Sequence, residues 1–482
     1  MKTVATVRFT AADQRAFARL SGDYNPVHLD AIAARRVVAG EPIVHGMHLL
    51  LRMLDAQVST PARARAGVPR RATIAVTFQR PALVGERIRF ERDADGRLSA
   101  EADGGVTLAV ATITATDGAA PAATRPVRRR LDKARRTPAV RSAADAEGAA
   151  GVIGPRSAAA LGRAFPRAAR ALGADVVAAI AAVSALVGME CPGRDSLLSA
   201  VRLEVTAHEQ PDRLEWTVER VDRRFGLVRI AVRGAGFAGT VDAFLRPLPP
   251  PLPTIGAATA HVAPCEFAGA RALIVGGSRG LGAATAMLVA AGGGLPIVTY
   301  ASGAGEVAIL QRDARRARRT IEGLRLDVGA RDASRIVAAA VARFNVTQLY
   351  YFATPRIFVR RREPFDERLF DRFAAFYVSG FARLSAAAIA AAPSLAVFYP
   401  SSTAVDEVPG ELTEYATAKA AGECICHAMA AAHADARIVV RRLPRIATDQ
   451  TASILSAPAR DPFEAMLPIV REMQQHARGS GE

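Results

Sequence analysis

The sequence predicts an α+β architecture followed by an α/β one: two helix-then-strands blocks in tandem, then a doubly wound parallel sheet. Two observations predict it. Residues 1–118 and 152–250 each place one apolar helix before strands of period-two alternation, which reads as a tandem duplication of one fold. From Arg271 onward, short apolar strands alternate with helical segments, the layout of a parallel sheet covered on both faces.

The first block opens with a helical stretch, passes the loop "SGDYNPVHLD" (21–30) and enters an apolar helix near "IVHGMHLLLRML". It ends in the alternating segments "ATIAVTFQRPALVGERIRFER" and "VTLAVATITAT", punctuated by Pro and Gly. Residues 119–151 are rich in Arg, Ala and Pro and read as a solvated linker. The second block follows the Ala-rich helix "VVAAIAAVSALVGM" with the turn "CPGRDS" and strands such as "LLSAVRLEVTA", "DRLEWTVERVD" and "GLVRIAVRGAG". The stretch "RPLPPPLPTIG" (246–256) reads as stiff and Pro-rich and leads into a connector over 251–267. The third block, 268–470, carries "ALIVGG", "PIVTY", "QLYYFAT", "LAVFYPSS" and "ARIVVRRL", with a frayed polar tail beyond it.

A chain of 482 residues, half of them apolar, has material for two or three cores. No run of about 18 apolar residues suits a bilayer, and the first residues lack the apolar centre of a secretory signal. We expect a cytoplasmic protein without a membrane partner. The four cysteines, Cys191, Cys265, Cys424 and Cys426, are too few and scattered for a disulfide framework and read as buried thiols, with no metal expected. The net charge of +17, dominated by Arg, favours polyanions such as phosphorylated cofactors or acidic carrier proteins. No zinc pattern or aromatic RNA-binding motif accompanies the charge, so nucleic acid is not expected. The Arg run 360–362 reads as a solvated face or a carrier-protein dock.

Asn25-Pro26 builds a turn: Pro26 sets its own φ, biases Asn25 toward extended backbone, and leaves the Asn side chain to bond nearby amides. Such a turn can bring Asp23 and His28 to one water, as an acid–base pair for hydrating a double bond conjugated to a thioester. Gly46, at the start of the next helix, can offer its N–H and the helix dipole to the developing enolate. The competing reading is a surface Asx turn with a solvated histidine. The longer pattern decides: "LSGDYNPVHLD" followed by "PIVHGM", with "VTFQRPALVGERIRF", resembles the (R)-specific enoyl-CoA hydratases, MaoC-like dehydratases with a hot-dog fold. That resemblance covers the first block. It implies Asp23 and His28 as catalytic residues and the Gly46 amide as the oxyanion donor. The second block resembles a further hot-dog unit without the dyad, a structural half that completes the acyl tunnel. His45 and His48 read as packing or capping groups.

In the third block, "ALIVGGSRGLGAATAMLVAAGG" is a strand, a glycine-rich turn and a helix. Gly276, Gly280 and Gly282, with Ser278, Arg279 and Leu281 between them, let backbone approach a pyrophosphate at a helix N-terminus. In "SSTAVDEVPGELTEYATAK", Tyr415 and Lys419 lie four apart and share a helix face, where the ammonium is expected to depress the phenol's pKa. Ser402 ends the preceding strand, placed to hold a carbonyl. These motifs resemble the short-chain dehydrogenase/reductase family over about 268–455, a Rossmann-type fold. The resemblance implies Ser402, Tyr415 and Lys419 as the catalytic group, Lys419 also bonding the nicotinamide ribose. It implies Asp327 and Val328 near adenine and Thr448 near the nicotinamide amide. "PIVTYASG" ends the second strand without the acid that would bind a ribose 2′-OH, and Arg279 can pair with a 2′-phosphate, so NADPH is favoured over NADH. The sequence departs from the family where "FATP" replaces the usual Asn-Asn-Ala-Gly turn. Tyr377 stands where an asparagine carries a proton relay through water, and Pro444-Arg445 replaces Pro-Gly.

Together the two halves imply a 3-ketoacyl thioester reductase joined to a 3-hydroxyacyl dehydratase, in fatty-acid or polyketide metabolism. The substrate would be an acyl-CoA or an acyl carrier protein thioester, and a homo-oligomeric enzyme is compatible with the sequence. The alternatives are a hydratase whose reductase half is degenerate, and a non-catalytic acyl-thioester-binding component of a synthase.

Overall fold

The structure, a computed structural model, describes residues 1–37, 40–57, 72–115, 135–205, 213–234, 236–246, 250–358, 365–451 and 458–479. The chain forms two compact units, one covering residues 1–248 and the other running from residue 249. The Arg run 360–362, the first part of the expected linker and His208 lie outside the described residues.

The first unit holds one ten-stranded sheet: β1 (Lys2–Arg8), β2 (Ala72–Phe78), β3 (Arg87–Arg92), β4 (Leu98–Ala102), β5 (Val106–Ala115), β6 (Ala150–Ile153), β7 (Ser196–Val205), β8 (Leu214–Asp222), β9 (Leu227–Gly234) and β10 (Phe237–Leu245). Their order is β1-β3-β4-β5-β2-β7-β10-β9-β8-β6. Read inward from either edge, β1, β3, β4, β5 and β2 correspond to β6, β8, β9, β10 and β7, so the sheet is two copies of one five-strand motif. The copies join where β2 runs antiparallel to β7, with Ile74 opposite Leu203 and Val76 opposite Val201. Each copy supplies a central helix, Gly46–Gln57 or Ala174–Ala185, and their buried side chains share one core with the strands. Helix Ala174–Ala185 is buried at every position from Val176 on, which is why its sequence is apolar all round rather than striped. This is the expected tandem hot-dog arrangement.

Several boundaries differ from the sequence reading. The chain begins with an edge strand, β1, before its first helix, Ala11–Ser21. The described part of the expected linker is folded: Val140 bridges Gly193, a short helix spans Ala143–Ala146, and β6 begins at Ala150. Short elements anchored by distant partners carry too little local periodicity to stand out.

The second unit is built on six parallel strands, β11 (Arg271–Val275), β12 (Leu295–Tyr300), β13 (Glu322–Arg325), β14 (Gln348–Tyr351), β15 (Ala396–Ser402) and β16 (Arg437–Leu443). Their order, β13-β12-β11-β14-β15-β16, reverses direction between β11 and β14, the crevice where open α/β sheets take ligands. Helices Gly280–Ala291 and Pro462–Gly479 cover one face, and Ala333–Phe344 and Phe381–Ala391 the other. The expected Pro-rich connector contributes a helix, Ile255–Thr259, whose Ile255 and Ala258 are buried in this core. The expected frayed tail is helical through Gly479: Met473 is fully buried and Gln474 bonds Gln348 at 2.7 Å. The helical run Glu367–Ala391 has the length and composition of a bilayer span, yet buries Phe373, Phe381, Leu384 and Ile389 in the core. Of the four free thiols, Cys191 and Cys426 are buried, while Cys265 and Cys424 are exposed, a correction to the expectation that all are buried.

The junction of the two half-sheets should govern the first unit's stability. Leu203→Ala removes a fully buried side chain at that junction and should cost about 2–5 kcal/mol. Trp216, the chain's one tryptophan, lies in the same core, so its fluorescence in a denaturant titration reads the loss. A midpoint equal to wild type would show that the junction is not part of the cooperative core.

Candidate active sites

The loop 21–30 is not a surface turn. Asn25 caps the short helix Pro26–Leu29, its side-chain oxygen accepting from Val27 N–H at 3.1 Å. Its amide nitrogen donates into the second half, toward the carbonyls of Gly188 (3.1 Å), Gly193 (3.3 Å) and Arg194 (3.1 Å). Asn25 therefore fastens the dyad loop to the other copy of the fold.

Asp23 is 2 % exposed. Its Oδ1 accepts the Asn25 N–H at 3.1 Å, and its Oδ2 accepts the Ser184 hydroxyl at 2.7 Å. Burial pushes this carboxyl above its ordinary value, opposed by His28, Ser184, the Asn25 N–H and the charge of Arg156. His28 Nε2 stands 3.9 Å from Asp23 Oδ2, a gap suited to an oxygen bonded to both rather than to a direct hydrogen bond. The Nδ1–H of His28 donates to Ile43 O at 2.8 Å, which turns the Nε2 lone pair toward Asp23. Burial lowers the His28 pKa, opposed by the carboxylate. A raised acid beside a lowered base brings their proton affinities together, so a proton passes between either group and a substrate at little cost.

Both groups line one cleft together with Gly46, Ser184, Gly188, Phe78 and Leu198. Gly46 is the first residue of its helix, so its N–H has no intrahelical acceptor and points with the dipole. The structure thus brings Asp23, His28 and Gly46 to one place.

Three contributors escaped the sequence reading. Ser184 and Gly188 come from the second half, where helix Ala174–Ala185 passes into the π turn Leu186–Glu190. A Cβ on Gly188 would collide with the Asp23 carboxylate, so glycine is required by close approach. No local signal marks either residue. The third is His45, expected only to pack or cap. Its ring stacks on His28 with centroids 3.8 Å apart, and its Nδ1–H donates to Gln14 Oε1 at 2.8 Å. One ligand atom each from Asp23, His28 and His45 falls within 4.8 Å of the others, a set that can also hold a cation. His48 fits the packing expectation, stacked on Phe17 at 4.6 Å and held neutral by burial, which lowers its pKa to about 3.

In the second unit, the loop after β11 carries Gly276, Ser278, Arg279, Gly280, Leu281 and Gly282 into helix Gly280–Ala291. Gly276 has φ +82°, and a Cβ there would meet Phe352 and Ala353 backbone at 2.7–2.8 Å. No side chain caps the helix, leaving its first N–H groups for an anion. These features fit the pyrophosphate of a nicotinamide dinucleotide. Thr448 packs beside Gly280. Val328 is buried in the core, and Asp327 is exposed, its carboxylate accepting Gly329 N–H at 2.9 Å. Two acids were missed. Asp449, 7 % exposed, pairs with the Arg279 guanidinium. Glu306, 6 % exposed, lies in the first turn after β12 beside Gly303 and Ser278, a few residues beyond where an acid was sought.

Ser402 ends β15, and its side chain acts on the Tyr415 phenol to lower its pKa. Tyr415 and Lys419 lie on helix Thr413–Ala432. Lys419 Nζ donates to Pro400 O at 2.5 Å and sits 5.8 Å from the Tyr415 ring centre. The expected depression of the phenol is not found: burial pushes Tyr415 up to about 12, against the opposing effect of Ser402. Burial likewise pulls Lys419 down to about 7. Sequence spacing places the two on one helix face; it does not report that both are removed from water.

Residues 1–115 match the family described as "MaoC like domain", and residues 270–457 match "short chain dehydrogenase". The chain is similar to the (R)-specific enoyl-CoA hydratase of Aeromonas caviae, 34% identical over 84 residues, which span 17% of this chain and 60% of that protein. Among solved structures it is similar to a short-chain dehydrogenase/reductase from Serratia marcescens, 20% identical with TM-score 0.40 over 44% of this chain and 94% of that one. It is also similar to a 3-oxoacyl (acyl-carrier-protein) reductase from Agrobacterium tumefaciens with NADP bound, 20% identical with TM-score 0.39 over 43% and 88%.

The Ser184 bond makes a prediction about pH. Proton transfer that needs the Asp23 carboxylate is lost as pH falls through its raised pKa, and Ser184 holds that pKa down. Ser184→Ala should therefore move the acid limb of the site's pH–rate profile to higher pH and slow turnover about tenfold to a hundredfold. An unmoved limb would show that the hydroxyl does not hold the carboxylate during turnover.

Proposed function

We propose that this chain, in which a MaoC-like dehydratase domain is fused to a short-chain dehydrogenase/reductase domain, processes one acyl thioester at two sites. The reductase domain converts a 3-ketoacyl thioester to the 3-hydroxyacyl form, and the dehydratase domain reversibly removes water to give the 2-enoyl thioester. The observation that carries this reading is the buried Asp23–His28 pair sharing its cleft with the Gly46 N–H, in a chain that also holds Ser402, Tyr415 and Lys419 beside a dinucleotide loop.

In hydration, a water between Asp23 Oδ2 and His28 Nε2 loses a proton to one of them as its oxygen bonds C3. The double-bond electrons move to C2 and the thioester oxygen, to which the Gly46 N–H donates a hydrogen bond. The proton taken from the water is then delivered by the pair to C2, which leaves both groups as they began. Dehydration is the reverse. A bound dihydronicotinamide supplies the hydride for reduction. Ser402 holds the ketone oxygen, Tyr415 gives it a proton as the carbon is reduced, and the Lys419 ammonium stabilises the phenolate left behind.

NADPH is the proposed cofactor, because Arg279 stands in the loop at the phosphate end and a 2′-phosphate can share its guanidinium with Asp449. Arg279→Ala should weaken NADPH binding about tenfold or more and NADH binding far less, read by cofactor fluorescence. Equal loss for both would point instead to Glu306 and a ribose 2′-OH. The proposal extends to an acyl-CoA or acyl carrier protein substrate, in fatty-acid or polyketide metabolism in the cytoplasm.

Supplying 3-ketoacyl-CoA and NADPH to wild type, Asp23→Ala and Tyr415→Phe tests the whole. Asp23→Ala should stop at the hydroxyacyl product, and Tyr415→Phe should fail to reduce yet still hydrate enoyl-CoA. Loss of both reactions in both variants would mean the sites are not independent. The departures at "FATP" and Tyr377 favour one second reading, a hydratase whose reductase half is silent. Wild type that binds no NADPH would select it.

A further inference from the structure

The reductase site departs from its family at Tyr377, and the structure shows what the departure does. The helix carrying it loosens into a π turn over Ala375–Gly380, and the Tyr351 hydroxyl donates to Phe376 O in that turn at 2.8 Å. Such insertions re-aim side chains at functional sites. Here Tyr377 is aimed at Lys419: the ammonium lies 4.0 Å from the centre of its ring, nearer than to the rings of Tyr399 (5.0 Å) or Tyr415 (5.8 Å). The ring itself is immobilised. Its hydroxyl bonds the Thr354 hydroxyl, its face stacks on Phe373 at 5.9 Å, and it meets Tyr415 edge-on at 5.6 Å.

We propose that Tyr377 is the positioning residue of the reductase site, its ring face holding the Lys419 ammonium in place beside the Tyr415 phenol. This rests on the reductase reading for its purpose, though not for its test. An ammonium has three donors, and Pro400 O takes one. Among the described residues no carboxylate pairs with Nζ directly. Glu423, one turn along the helix, is committed to Arg442 and Ser401. The other titratable groups facing Lys419 are Cys426 on its own helix and the phenols of Tyr377, Tyr399 and Tyr415, none of which is charged at neutral pH. An ammonium 5 % exposed must be stabilised by something other than water. A ring face at this distance, out of water, does that.

Sign and size follow. Burial already lowers Lys419 to about 7, and a cation–π contact favours the charged form, so removing the ring's negative face lowers the pKa further, by about one unit. The chain has only three lysines, Lys2, Lys133 and Lys419. Labelling with ε-¹³C-lysine therefore lets NMR follow the Lys419 titration directly, with Lys2→Arg and Lys133→Arg assigning the signal. Tyr377→Phe keeps the ring and should keep the midpoint within about 0.3 unit. Tyr377→Leu should lower it by about one unit. Trifluorophenylalanine placed at 377 should do the same while preserving shape, which guards against a Leu variant that fails to fold. A midpoint unmoved by the fluorinated ring, or moved as far by Phe as by Leu, overturns the inference. The titration needs neither cofactor nor turnover. A chain that reduces no 3-ketoacyl thioester would sink the reductase reading alone.

Discussion

The first unit is organised around keeping one carboxylate, Asp23, out of water. A charge so placed is tolerable only when fully partnered, and the partners are divided between the two copies of the fold. The loop copy supplies His28 and the Asn25 N–H. The second copy supplies the Ser184 hydroxyl, the positive field of Arg156, and the missing side chain at Gly188 that leaves the carboxylate room. Lacking a dyad of its own, the second half is still part of the site. Its helix is constrained both by the shared core and at the point where it faces Asp23.

The second unit solves the same problem with the opposite sign. Lys419 is a cation drawn from water against a carbonyl and aromatic faces, beside a phenol that burial raises instead of lowering. In both units the group opposite the buried charge sits on a π turn, Gly188 in Leu186–Glu190 and Tyr377 in Ala375–Gly380. An extra residue in a helical turn shifts which side chain, or which gap, faces inward without moving the rest of the helix. Each site thus pairs a rigid scaffold with one local irregularity.

Much of this was legible before any coordinates. Period-two alternation marked the longer strands, because each has one face on the core. Asn25-Pro26 marked the turn that presents Asp23 and His28, and the glycine triplet marked the helix end. Legibility failed where local pattern is silent. Strand β6 is four residues long, and the terminal helix looks polar because only one stripe of it, including Met466 and Met473, is buried. Arg279 read as an unclaimed cation because Asp449 lies 170 positions away.

By itself, then, the sequence determined the order of the elements, the duplication, and which residue types could do acid–base or hydride chemistry, since these are properties of spacing along one chain. The tertiary structure alone decided how strongly each group holds its proton and who its partners are. That Ser184 serves Asp23, that His45 stacks on His28 and that Tyr377 holds Lys419 all depend on removing water from between residues far apart in the chain, and desolvation has no signature in local sequence.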